Sequence, residues 1–266
     1  MASISSWYGR LGNNLQQISN AIYFCQKNEL NFHCPEHPLI RSFDIEFGKN
    51  SELASRFFFF KGDSKDFECD TVELNCSRRR LLLQYVVPNF KFFVGDAFFE
   101  DTLVIHLRSG DVFAGYEPPN TYVQNPLFFF EKLIEQFEDV LVVTEPDQKN
   151  PVIEELKKNK KVMIQSTSLI NDFVTLLRTQ NLASSGVGSF PLAAALSSKN
   201  IKNFYYTNLF LEEHLNPRML GQLDITLHQT DIDLNSYIKI GEWKNTKQQR
   251  ELMIQYYKRD KNEYRP

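Results

Sequence analysis

The chain has 266 residues, 42% hydrophobic and 24% charged, a balance that fits one large or two small globular domains and excludes disorder along most of its length. Thirty Lys and Arg against thirty-three Asp and Glu leave a net charge of −3, with no general attraction for nucleic acid or an acidic membrane surface, so any anion must be held locally. The opening "MASISSWYGRLGNN" shows no basic segment followed by an apolar stretch, and the expectation is a cytoplasmic protein with no transmembrane segment. Cys25, Cys34, Cys69 and Cys76 lack CxxC spacing, which argues for reduced thiols and against a zinc ribbon.

Strand-like and helix-like segments alternate, the pattern of an α/β fold. "SISSWY" reads as a strand, "GRLGNN" as a loop and "LQQISNAIYFCQKN" as a helix. Leu15, Ile18, Ile22 and Cys25 keep helical spacing on one face, and Asn13 or Asn14 is placed to cap the start. "ASRFFFFKGD" reads as a buried strand, its aromatics as core. After "PNFKFFVGDAFFE" the pattern restarts: strand "DTLVIHL", helix "NPLFFFEKLIEQF", strand "DVLVVTE", helix "NPVIEELKKN" and strand "KVMIQS". Helix "SLINDFVTLLRTQ", strand "NLASS", helix "FPLAAALSSKN" and strand "NFYYTNL" complete a βαβ ladder, the usual source of a parallel sheet. The segment from Glu242 to Pro266 reads as a charged helix packing back on the rest. The expected domains are residues 1–95, 96–240 and, for that helix, 241–266.

In open α/β sheets ligands bind at the carboxyl ends of strands, and "RSGD" follows "LVIHL" there. "SSGVGSF" follows "NLASS" and opens a helix, where Gly186 and Gly188 allow close backbone approach and Ser189 with the free amides can bind phosphate oxygens. "GRLGNN" is a third loop of this kind. Three such loops from two lobes imply a cleft between domains.

Together these segments resemble the fucosyltransferase superfamily. "HLRSGD" is similar to its H-x-R-x-G-D signature, "GRLGNN" to its amino-terminal G-x-x-G-N-Q loop, and "DFVTLLRTQNLASSGVGSFPLAAALSS" to its later segment. The resemblance implies a GT-B-like α/β architecture, two Rossmann-like lobes facing a cleft, with the N-terminal lobe reduced. It further implies an inverting, metal-independent glycosyltransferase that moves a sugar, L-fucose from GDP-fucose, to a hydroxyl of a glycan acceptor, with no cofactor. Arg108 matches the arginine on the donor diphosphate, a role suited to a planar bidentate donor. His106 belongs to the same motif, and Ser189 and Phe190 match positions at the phosphate and the base or sugar. Asp172 matches the acidic residue near the nucleotide, and Asn13 the asparagine facing donor sugar and acceptor. Asn14 stands where the family often has Gln.

Transfer needs leaving-group stabilisation and, where a base is used, Asp111 or Glu117 is in the right loop. Asp111 reads equally as an orienter of Arg108, His106 as a core histidine, and "GRLGNN" as a plain turn. Asp231-Ile-Asp233 forms a D-x-D pattern, but its late position favours loop duty over metal binding. The alternative of another class is a non-catalytic nucleotide-sugar-binding or interaction module of a larger glycan-assembly protein.

Overall fold

The computed structural model describes residues 1–49, 56–59, 71–114, 118–212, 214–220 and 224–263. Most of "ASRFFFFKGD" and all of Glu117 lie outside the described residues.

A six-stranded sheet organises the molecule. It contains β4 (Phe99–Leu107), β5 (Val140–Thr144), β6 (Val162–Gln165), β7 (Thr179–Ala183), β8 (Asn203–Thr207) and β9 (Thr226–Thr230). The spatial order is β6-β5-β4-β7-β8-β9 and every pairing is parallel. Counted from β4, this is the 3-2-1-4-5-6 order of a doubly wound sheet, and the order reverses between β4 and β7. Alternation along each strand sends neighbouring residues to opposite faces. Val104, Leu141, Val143, Leu182 and Phe204 pack on one face against α5 (Leu169–Leu177) and α6 (Phe190–Ser197). Leu103, Ile105, Val140, Val142 and Ala183 pack on the other against α3 (Leu127–Ile134) and α4 (Pro151–Leu156). The C-terminal helix α7 (Lys247–Glu263) lies on α3 and α4 through buried Met253 and Tyr256.

The N-terminal segment forms a small sheet, β1 (Ala2–Ser3) parallel to β2 (Phe32–Cys34), which is antiparallel to β3 (Phe43–Ile45). Between the two sheets runs α1 (Leu11–Lys27), and its apolar residues belong to the same continuous core as one face of the large sheet. Sequence spacing predicts one buried face for α1, yet Leu11, Gly12 and every residue from Asn14 to Cys25 are buried. Partners for its polar side chains make this possible. The Gln17 amide donates to the carbonyls of Ser6 and Phe57, the Asn20 amide to Phe58, and Arg78 of α2 (Thr71–Leu81) donates to Ser19 and Asn20. The helix begins at Leu11 with Arg10 as its cap residue, so Asn13 and Asn14 lie inside the first turn and neither is the cap. Burial pushes the Cys25 and Cys34 thiols up to about 12, so both are protonated packing groups at neutral pH. No described helix is long and apolar enough to cross a membrane.

Candidate functional site

Beyond the carboxyl ends of β4 and β7, at the point where strand order reverses, lies a cleft of about 320 Å³. Arg10, Leu11 and Gly12 from the start of α1 form one wall. His106 and Arg108 come from β4 and its loop, Thr144, Glu145 and Pro146 follow β5, and Thr167, Leu169 and Asp172 lie at the start of α5. Gly188, Ser189 and Phe190 close it at the start of α6.

The "RSGD" loop is held from the β5 side. Glu145 accepts from the Ser109 amide at 2.6 Å, and Asp147 accepts from the amide of Gly110, whose φ of +55° suits glycine. The Ser109 hydroxyl accepts from the amides of Lys149 and Asn150, while the Asn150 side chain caps α4 and donates to the Arg108 carbonyl. Ser109 therefore fixes the loop, and the direction of Arg108 is set by a second loop.

Arg108 is nearly buried, its side chain 12% exposed, with its guanidinium 4.2 Å from the centre of the Tyr122 ring. Its Nη2 donates to both Asp111 carboxylate oxygens at 3.2 Å, and its Nε has no partner. Arg10 donates to the same Asp111 at 2.8 Å and lies 3.6 Å from Glu145. Partial burial would raise the Asp111 pKa, but the charges and hydrogen bonds of Arg108 and Arg10 outweigh it and hold the carboxyl below its ordinary value. His106 is buried beside Phe190, ring centres 5.1 Å apart. Burial, with help from Arg108 and Arg10, depresses its pKa to about 3, so the ring is neutral at physiological pH. Its Nδ1 has no partner, nor does the buried hydroxyl of Thr144 in the same wall.

Two helix N-termini meet here. The Ser189 hydroxyl donates to the Asn13 side-chain oxygen at 3.1 Å, tying α6 to α1. Neither cap residue, Arg10 of α1 or Ser189 of α6, uses its side chain on the first-turn amides.

Of the residues singled out from sequence, His106, Arg108, Asp172, Gly188, Ser189 and Phe190 line one cleft, with Asn13 behind Ser189 and Asp111 bridging two arginines. Asp172 accepts from Gln165, the Thr167 amide and the Thr167 hydroxyl, so part of its carboxylate is committed to shaping the β6–α5 loop. Gly186 is elsewhere: it packs on the extended Val123–Asn125 segment through an isolated bridge to Gln124, with φ of +110°, and its freedom serves that packing. Arg10, Gly12, Thr144 and Glu145 are additions that sequence reading passed over, although Arg10 and Gly12 sit within "GRLGNN" and Glu145 ends "DVLVVTE". Asp233 accepts from Asn235 and Ser236 in a turn, and Asp231 accepts from Gln229. Among the described residues no group of three His, Cys, Asp or Glu is arranged to hold a metal.

No protein-family model, curated protein or solved structure matches this chain.

Proposed function

We propose that the switch-point cleft binds a nucleoside diphosphate sugar and that the protein transfers the sugar to a glycan hydroxyl with inversion. The observation that supports this most is the convergence of Arg10, Arg108 and the first turns of α1 and α6 on a single cleft. Two guanidinium groups and two positive helix ends offer a diphosphate the charge it needs without a cation. The donor, GDP-fucose, and the arrangement as two GT-B lobes rest on the sequence resemblance. In the reaction an acceptor oxygen bonds to the anomeric carbon while the bond from that carbon to the diphosphate breaks. The electron pair leaves with the nucleotide, where Arg108 and Arg10 stabilise the growing charge, and the acceptor hydroxyl gives up its proton to the departing diphosphate or to solvent. Asp111, held by both guanidinium groups, orients the arginines in this scheme, and Asp172 lies toward the nucleotide.

The second reading, a module that binds a nucleotide sugar without transfer, is favoured by the same Asp111 pairing, because a carboxylate held by two arginines is a weak base. Thermal melting of the full chain with GDP, UDP or dTDP, in EDTA, tests the shared premise. A ligand that binds only the native state raises the melting temperature, and GDP is expected to do so most. No shift with any nucleotide would end both readings. Manganese-dependent binding would return attention to Asp231 and Asp233. Turnover of GDP-fucose with glycan acceptors then separates enzyme from module.

A further inference from the structure

Phe93 and Phe98 are 89% and 67% exposed, the two most exposed large apolar side chains among the described residues. Both lie between Asn89 and the body of β4, at the amino ends of the strands and so on the far side of the sheet from the cleft. The nine residues of β4, at about 3.3 Å each, put roughly 30 Å between this segment and Arg108. The segment is pinned on both sides. The Arg41 amide donates to the Asn89 carbonyl at 2.8 Å, the Lys91 amide to Leu39 at 3.0 Å and the Phe98 amide to Arg178 at 2.9 Å. A Cβ on Gly95 would lie 3.3 Å from the Phe93 ring and 3.5 Å from the Arg178 Nε, and the Arg178 guanidinium stands 5.2 Å from the centre of the Phe98 ring. Phe93, Arg178 and Phe98 therefore form one continuous patch.

Beside Phe93 runs an open groove of about 480 Å³, with Phe90 and Phe92 stacked at 4.8 Å in its wall. Arg41 and Lys91 also line it, and its lining includes no carboxylate. The exposed Arg41 side chain has no hydrogen bond or ion pair among the described residues, while Lys91 pairs with exposed Glu36. Fixed rings standing in water mark an interaction surface, and the charges around them select the partner. A protein would need a socket for each ring, whereas a bilayer moulds around both. Apolar rings bordered by Arg41, Lys91 and Arg178 suit the headgroup level of an anionic bilayer, where the rings enter the acyl boundary and the cations meet lipid phosphates. We infer that the patch of Phe93, Phe98, Arg41, Lys91 and Arg178 docks the protein peripherally on an anionic lipid surface. The chain's net charge of −3 gives no such attraction as a whole, so the contact is local. Exposed Asp96, in the same turn as Gly95, opposes it. The cleft, at the other ends of the strands, keeps its mouth open in the docked protein.

The inference stands apart from the nucleotide reading, and its test uses no nucleotide. Flotation of the full chain with vesicles of phosphatidylcholine alone, or of equal parts phosphatidylcholine and phosphatidylserine, reads the contact directly. Binding is expected to the mixed vesicles only and to fall in high salt. Phe93→Ser and Phe98→Ser should each weaken it at least about tenfold. Arg41→Gln should weaken it about fivefold, and Asp96→Asn should strengthen it by a similar factor. The four side chains are exposed, so the melting temperatures of the variants should match the wild type. No binding to the mixed vesicles, equal binding to both kinds, or wild-type binding in the Phe93→Ser/Phe98→Ser double variant would overturn the inference. A dimer in analytical ultracentrifugation that the same double variant dissociates, without vesicle binding by the wild type, would give the patch to a second copy of the chain instead.

Discussion

Gly12 and Ser189 touch across the starts of two helices: a Cβ on Gly12 would overlap the Ser189 hydroxyl oxygen and stand 2.9 Å from the Ser189 carbonyl carbon. Only a residue without a side chain lets α1 and α6 meet this closely, and their meeting is what brings two positive helix ends to one cleft. The prediction is that Gly12→Ala pushes the two first turns apart. Overpacking of this kind costs about 1–3 kcal/mol, and GDP affinity should fall at least about tenfold. Melting temperature and nucleotide affinity of the variant check this, and wild-type values for both would remove the contact from the site.

The glycines of "SSGVGSF" divide in role. Gly186 has φ of +110° and a Cβ there would lie 2.7 Å from the Val123 carbonyl oxygen, so Gly186→Ala is expected to destabilise the fold by about 1–3 kcal/mol. A Cβ on Gly188 meets nothing closer than the Arg108 guanidinium at 3.8 Å, in the cleft wall. Gly188→Val should therefore keep the melting temperature and weaken GDP binding by occupying ligand space. Denaturation and titration of the pair test the division, and the reverse pattern would refute it.

The β4-to-β8 ladder was legible because each buried strand is a short apolar run and each helix follows with turn chemistry at its ends, as at Asn150 and Ser168, which cap α4 and α5. β9, "TLHQT", was missed for a physical reason: it is the sheet edge, pairs on one side only, and is largely exposed, so it carries no apolar run. The placement of "RSGD" and "SSGVGSF" on one rim followed from the rule for open sheets, and the same rule applied to "DVLVVTE" would have reached Glu145. What sequence withheld was the approach of α1 to that rim. The contact between Gly12 and Ser189 joins residues 177 positions apart, and the burial of α1 on all sides depends on carbonyl partners that no periodicity records.

His106 makes stability depend on acid. In the folded chain burial, then Arg108 and Arg10, depress its pKa from 6.5 to about 3, whereas the unfolded chain keeps the ordinary value. Below pH 6.5 the unfolded state takes up a proton that the native state refuses, so the stability this group contributes is full above pH 6.5 and is lost as pH falls toward 3. The slope approaches about 1.4 kcal/mol per pH unit within that window. Urea unfolding at several pH values should show the loss, and His106→Gln should flatten it. An unchanged profile in a folded variant would mean that other groups carry the acid sensitivity.

Arg108 is placed to serve both ligand and fold. Its guanidinium lines the cleft, and it also stacks on Tyr122 and pairs with half-exposed Asp111. Arg108→Ala should cost about 1 kcal/mol of stability, since a ring contact and a pair screened by solvent are each worth little. The effect on ligand is expected to be larger. Losing the main cation beside a desolvated diphosphate costs about 2–5 kcal/mol, seen as weaker GDP binding and, if transfer occurs, a further loss in kcat/KM. Arg108→Lys should recover part of the affinity, because an ammonium keeps the charge but cannot donate in two parallel bonds, and it loses the flat face that rests on Tyr122. Melting temperature and GDP affinity measured on both variants separate the contributions. An Arg108→Ala chain that melts lower yet binds GDP like the wild type would reduce this arginine to a structural partner of Asp111 and Tyr122.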